Sequence, residues 1–356
     1  MRLTRVWAVL LLGGSLGGGA CAPAQPGMPA SAASRVSPGE VRALESALAD
    51  DSLEGRMTAT PGSAKAAAII AGAMREAGLA PAGDSGYYQR VPIALASRGN
   101  GRLAPVLVSR SQALDSLPPE RRPPAFNVVG VLPGRDPALR DQVVLIDAHY
   151  DHLGRAGAPV SLCRAQGADS ICNGADDDAS GVVAALLAAR ALARGPGSRR
   201  TVVMAAMTGE EAGLLGTRWY IAHPVRPLER TVANLEIEMI GRPDSLAGGP
   251  GYLWLTGYQR TTLGRRLAAA GIPIVADPRP AQDFFERSDN IAFARRGIPA
   301  QAVSSFNLHG EYPLPADDLA HIDFAHRAAA VDAIARAVAI LANDDDPPRW
   351  TPGGRP

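Results

Sequence analysis

Two apolar runs stand out along the chain, interrupted only by Asp147. Val143–Ala148 lies within "DQVVLIDAHY" and Val202–Met207 within "RTVVMAAMT". Short runs of this kind, apolar at successive positions and rich in Val and Ile, read as strands buried on both faces. "NVVGVLPG", "TVANLEIEMI", "YLWLTG" and "PAQAVSSF" read as further strands. Between them the spacing of apolar residues changes to that of helices. The pattern predicts helices over Val41–Leu53, Ser63–Ala77, Ala179–Arg194 and Phe324–Leu341, with another ending at Tyr220. Strands alternating with helices predict an α/β fold: a three-layer α/β/α sandwich with a largely parallel central sheet.

The ends of the chain follow neither period. Arg2 and Arg5 precede the apolar run Val6–Leu12, and the small residues "GGSLGGGAC" follow. That is the pattern of a signal peptide over residues 1–21, too short to span a bilayer as a mature helix. Cys21 after Gly19-Ala20 resembles a bacterial lipoprotein processing site, with Gly18 where Leu usually stands. Cleavage after Ala22-Pro23-Ala24 is the competing reading. On either one the protein is exported, to a periplasmic, extracellular or lipid-anchored location, and a lipidated Cys21 would tether it to a bacterial membrane. Residues 22–38 are rich in Pro, Ala and Ser and read as a flexible linker. Residues 346–356 read as a disordered tail. One domain is expected over 39–345. The 356 residues are 46% hydrophobic and 20% charged with a formal net charge of +1, which gives no electrostatic reason to expect nucleic acid as a partner.

The chemistry sits at the ends of the strands, where open α/β sheets bind their ligands. The strand through Ala148 runs into His149-Tyr150-Asp151-His152. The strand through Met207 runs into Thr208-Gly209-Glu210-Glu211. Glu236 and Glu238 interrupt an otherwise apolar strand, and Asp176-Asp177-Asp178 open a helix. Three adjacent carboxylates repel one another, so a cation is a natural partner. A mixed set of imidazoles and carboxylates suits zinc, and manganese or cobalt fit the same donors.

"DAHYDHLG", "NGADDDASG", "TGEEAGLLG", "EIEMIGRPD", "RSDNIAF" and "GIPA" occur in this order. In that order and spacing the chain resembles the secreted co-catalytic zinc exopeptidases, a superfamily that includes bacterial leucyl aminopeptidase, glutamate carboxypeptidase and glutaminyl cyclase. The resemblance covers about residues 40–342. It implies the phosphorylase/hydrolase-like fold of those enzymes, two zinc ions, peptide substrates and exopeptidase chemistry, aminopeptidase first. Carboxypeptidase or related amidohydrolase activity, and a metal-poor binding ectodomain, are the alternatives.

Residue by residue, the resemblance implies that Asp177 bridges the two ions, His149 and Glu238 bind one, and Glu211 binds the other. Glu238 stands where the family often has Asp; Glu236, on the same strand face, is its rival. Glu210 is implied as the general base that takes a proton from water and passes it to the leaving amine. Asp151 is implied as the partner that fixes the His149 tautomer. Asp176 and Asp178 are expected to take loop hydrogen bonds or to face water, and His152 to be a packing or loop residue. The chain departs from the family near its C-terminus. The family's Tyr-His-x-Pro-x-Asp aligns with Tyr312, Pro315 and Asp317, but its metal-binding His falls on Pro313. His309 is the nearest replacement and is carried as the remaining metal ligand. Cys163 and Cys172 flank the loop before the triple Asp; in an exported chain they are expected to form a disulfide that braces it.

Overall fold

In the computed structural model the described residues are 36–108, 114–195, 197–311 and 313–356. The expected signal segment with Cys21, the expected linker as far as residue 35, and Tyr312 lie outside them. Thirteen strands run in chain order among the described residues. These are β1 (Ala80–Pro81), β2 (Tyr88–Arg90), β3 (Ile93–Gly99), β4 (Arg102–Leu107), β5 (Phe126–Leu132), β6 (Val143–His149), β7 (Gly154–Arg155), β8 (Ile171–Cys172), β9 (Thr201–Met207), β10 (Thr231–Ile237), β11 (Leu253–Leu255), β12 (Ile274–Ala276) and β13 (Ala300–Ser304). The helices are α1 (Pro38–Leu48), α2 (Pro61–Glu76), α3 (Gly181–Arg194), α4 (Leu215–Ala222), α5 (Leu263–Ala269), α6 (Asn290–Ala294) and α7 (Phe324–Asn343).

The main sheet has the order β1-β5-β9-β6-β10-β13-β11-β12, with β2 also on β5. Its centre, β9-β6-β10-β13, is parallel throughout, and the antiparallel pairs lie toward the flanks. The two faces are legible in single strands. Val144, Ile146 and Ala148 of β6 pack on one side with residues of α1, α2, α3 and α7. Val143 and Leu145 pack on the other with Tyr220 of α4 and Phe293 of α6. Successive side chains alternate across a strand, so an unbroken apolar run is what two covered faces require. The three-layer expectation holds. Among the described residues no helix is long and apolar enough to cross a membrane.

Two expectations need correction, and one element was missed. The first helix stops at Leu48, because Asp50 caps a separate short turn over Asp51–Arg56 through its side chain. Residues 346–356 are not a loose tail: Trp350 donates its indole N–H to the Gly297 carbonyl (2.9 Å), and the Thr351 amide bonds the Arg260 carbonyl. A half-buried tryptophan that packs against the core and satisfies its N–H anchors a segment that composition alone marks as free. The hairpin of β3 and β4, paired from Ile93↔Leu107 to Gly99↔Arg102, was not anticipated.

Candidate metal centre

Because β6, β9 and β10 run parallel, their C-terminal ends open on the same side and deliver His149, Glu210-Glu211 and Glu238 to one place. The triple-Asp turn at the start of α3 meets them there. Its three carboxylates have three different surroundings, and none faces water. Asp176 accepts hydrogen bonds from the Gly241 amide (2.6 Å) and from Ser180 Oγ (3.3 Å). Asp178 Oδ1 accepts the amides of Gly181 (2.9 Å) and Met239 (3.1 Å), leaving Oδ2 without a partner. Asp177 turns one oxygen toward each imidazole: Oδ1 lies 3.1 Å from His149 Nε2 and Oδ2 lies 3.7 Å from His152 Nδ1. The Asp177–Asp178 peptide bond is cis.

Several contacts hold this turn. Asp317 accepts the amides of Asp176 (2.9 Å) and Asp177 (3.0 Å), and burial beside Asp176 pushes its carboxyl up to about 6. Buried Arg56 donates to the carbonyls of Tyr150 (2.8 Å), Leu48 (2.7 Å), Gly174 (2.9 Å) and Asn173, tying the turn after α1 to the approach of the acidic loop. Gly174 has φ +60, and a Cβ there would lie 2.2 Å from the Asp177 carbonyl oxygen and 2.5 Å from the His152 ring. Only glycine allows the imidazole to close over the loop. The Cys163–Cys172 disulfide forms as expected, with Cα atoms 5.7 Å apart.

Two groups of ligand atoms result, each with all its atoms within 4.8 Å of one another: His149 with Asp178 and Glu238, and His152 with Asp177 and Glu211. His149 Nδ1 faces the Asp151 backbone carbonyl at 3.1 Å, which leaves Nε2 toward Asp177 and, at 3.6 Å, Glu238. The carbonyl of Asp151, rather than its carboxylate at 3.9 Å, therefore sets the ring orientation. The carboxylate instead accepts the amides of Gly209 (2.7 Å) and Glu210 (3.2 Å) and fixes the turn that carries the two glutamates. Glu236, the rival of Glu238, is turned away. It accepts the Ser288 hydroxyl and the amides of Asp289 (2.9 Å) and Asn290 (2.8 Å) at the start of α6.

His309 is the clear correction. Its Nε2 meets Asp176 Oδ2 at 3.0 Å and its Nδ1 lies 3.5 Å from Glu311, so it joins neither group. The ring thus meets Asp176, one residue before Asp177. His152, set aside in the sequence, is fully buried instead, with Nδ1 3.0 Å from Glu211 Oε1. Its position three residues after His149, immediately beyond a buried strand, was the available signal.

The electrostatics ask for positive charge. Burial works against a charged imidazole at His149, yet Glu238 and Asp177 outweigh it and hold His149 well above the usual range. At His152, burial is likewise outweighed by Asp177 and Glu211. Burial pushes Glu210 well above the usual carboxylate range; His149 opposes this, and Glu238 and Glu211 add to it. Apart from their contacts with one another, His149 Nε2, both His152 nitrogens, Asp177 Oδ1, Asp178 Oδ2 and Glu211 Oε1 are buried with no hydrogen-bond partner. Orphaned buried polar atoms are costly, and these converge as a ligand set does. Mixed imidazole and carboxylate donors suit zinc.

An α/β sheet with paired His/carboxylate groups at its parallel strand ends defines a two-metal hydrolase class of site. Residues 127–338 match peptidase family M28, and the chain belongs to that family. It is 29% identical over 181 residues to a probable leucine aminopeptidase 2 of Aspergillus fumigatus, a stretch that is 49% of this chain and 32% of that protein. The match thus spans about a third of the length of that curated relative. Among solved structures, a zinc aminopeptidase from Bacillus subtilis superposes with TM-score 0.60 at 17% identity, covering 86% of this chain and 95% of that one. A glutaminyl cyclase from Porphyromonas gingivalis superposes with TM-score 0.55 at 14% identity, covering 85% and 98%. At these identities the likeness establishes the fold.

Proposed function

We propose that this protein is an exported two-zinc aminopeptidase that removes apolar N-terminal residues from peptides. The observation that carries the reading is the pair of adjoining ligand groups with Asp177 between them. In this reading His149, Glu238 and Asp178 would hold one ion and His152 and Glu211 the other, with Asp177 between the two groups, its two oxygens facing opposite imidazoles. Bound zinc would supply Lewis acidity toward the scissile carbonyl and lower the pKa of a water within reach.

The remaining work falls to side chains. Glu210 lies beside both groups and is held through its own amide by Asp151. It takes the proton from the attacking water and hands it to the leaving amine. A carboxyl raised by burial, as Glu210 is, is tuned toward that task. Next to Asp177, Glu210 and Glu238 lies a pocket of ≈ 70 Å³ walled by Met239, Trp254, Phe284 and Phe306. A water needs about 10–15 Å³ on this measure, so the pocket suits one side chain, and its walls favour an apolar one.

Arg287 also lines that pocket, stacked over Phe284 at 5.0 Å. It favours the second reading, a carboxypeptidase that anchors a terminal carboxylate there. Arg242 is less suited to that task, since it pairs with Glu311 at 3.3 Å. A panel of aminoacyl nitroanilides, free dipeptides and N-blocked dipeptides, assayed with zinc and with chelator, tests both. Zinc-dependent cleavage of nitroanilides and free dipeptides but not of blocked ones supports the aminopeptidase; the opposite preference supports the carboxypeptidase. Export rests on the charged and apolar N-terminal pattern, the expected cleavage or lipidation at Cys21, and a disulfide that suits an oxidising compartment. Fractionation of the producing cell, with intact-mass analysis of the mature N-terminus, tests that part.

A further inference from the structure

A second cleft adjoins the site on the side of Glu211. It has a volume of ≈ 440 Å³, against ≈ 70 Å³ for the aromatic pocket on the side of Glu238. Its floor is apolar, from Met57, Leu103, Pro105 and half-exposed Leu162. Arg98 and Arg102, from the β3–β4 hairpin, also line it. That hairpin precedes residues 127–338, the segment matched to the family. One Arg102 nitrogen donates to the Ser161 carbonyl at 3.0 Å, which seats the side chain against the cleft wall.

A peptide crossing the site has to leave one end in each recess. The small aromatic pocket has room for one side chain; the large cleft has room for the rest. We infer that Arg98 and Arg102 recognise the C-terminal carboxylate of a short peptide's leaving portion, making this a peptidase of di- and tripeptides with free C-termini. The inference rests on the aminopeptidase reading above. Guanidinium groups bind carboxylates through paired N–H donors. They also offset the repulsion that the surrounding Glu and Asp side chains would exert on an incoming carboxylate. At an extended rise of about 3.3–3.6 Å per residue, a terminal carboxylate reaches a recess next to the site only when one or two residues follow the scissile bond.

The test compares Leu-Ala and Leu-Ala-Ala as free acids with their C-terminal amides. The ratio of kcat/KM for acid over amide is taken within each protein, which cancels any general loss of activity. The native ratio should favour the acid by about tenfold, which is about 1.4 kcal/mol, and should lie in KM. Arg98→Ala should shrink the ratio, and Arg98→Glu should invert it. Among the described residues Arg98 makes no side-chain hydrogen bond or ion pair, so these variants do not remove a structural contact as Arg102→Ala would. A native ratio near one, or a ratio unchanged in Arg98→Glu, overturns the inference. Calorimetric binding of Leu-Ala and its amide to zinc-loaded Glu210→Gln protein, which should bind without hydrolysing them, supplies a readout that does not need turnover. Absence of any hydrolysis would defeat the aminopeptidase reading, while equal binding of acid and amide would defeat the arginine assignment.

Discussion

Arg56 is the residue whose removal should damage the centre most without touching it. Its guanidinium satisfies four main-chain carbonyls, at Leu48, Tyr150, Asn173 and Gly174, and all four belong to segments that frame the acidic loop. It is fully buried, and its charge faces Asp317, Asp177, Asp151 and Asp178. Arg56→Ala leaves those carbonyls to find other donors. At about 1–1.5 kcal/mol for each lost bond, the loss is about 4–6 kcal/mol, a large share of the 5–15 kcal/mol typical of a folded domain. Arg56→Lys keeps the charge but has no planar fork to span carbonyls on three segments, so it should recover less than half. Urea denaturation of zinc-loaded protein gives the loss directly, and the zinc affinity of each variant shows whether the loop has moved. If Arg56→Ala stays within about 1 kcal/mol of the native protein and binds zinc equally well, the guanidinium does not organise the loop as argued.

Other outcomes follow from the same geometry. Glu210→Gln should lower kcat/KM by about 10²-fold or more while zinc content stays at the native value. Replacing Cys163 and Cys172 by Ser opens a loop closed over a sequence separation of 9 and should cost about 3 kcal/mol, read by denaturation with and without reductant. Gly174→Ala should lose the His152 position and with it one bound metal, seen in metal content. His326 accepts the Gly251 amide at Nδ1 (2.9 Å) and bonds Ser305 at Nε2 (3.0 Å); burial, with the Arg327 charge, lowers it to about 4. The unfolded chain takes up the proton below about 6.5 and the folded one only below about 4, so stability is lost as pH falls through that window. The His326 share of that loss is about 2 kcal/mol between pH 7 and pH 5, and it should vanish from the pH–stability slope in His326→Gln.

The sheet was legible because burial on both faces leaves a mark that needs no tertiary information. Val143–Ala148 and Val202–Met207 are apolar at every position but Asp147, so each had to be a central strand. Glu238 was likewise separable from Glu236 once the motif was aligned, and the structure shows Glu236 occupied at the start of α6. The β3–β4 hairpin had a signal that went unused: Asn100-Gly101, the dipeptide favoured in tight hairpin turns, stands between runs of apolar residues. The directions in which His152 and His309 point were not legible for a different reason. Both follow the regular part of a strand, where alternation no longer says which way a side chain points. One turned inward over Gly174 and the other outward onto Asp176. Arg56 was unreadable for the same cause, since a buried arginine is recognised only by the carbonyls that tertiary packing brings to it.

Pro313, at the family's usual histidine position, gains its meaning from His152. On the two-zinc reading proposed above, the imidazole that the C-terminal loop does not supply would come from the end of β6, where His152 Nδ1 lies 3.0 Å from Glu211. The most direct measurement is zinc stoichiometry by elemental analysis, with calorimetric titration, on the native protein, His152→Ala and His309→Ala. The account predicts two zinc ions per chain in the native protein and in His309→Ala, and one in His152→Ala. Two ions retained in His152→Ala with one lost in His309→Ala would contradict it.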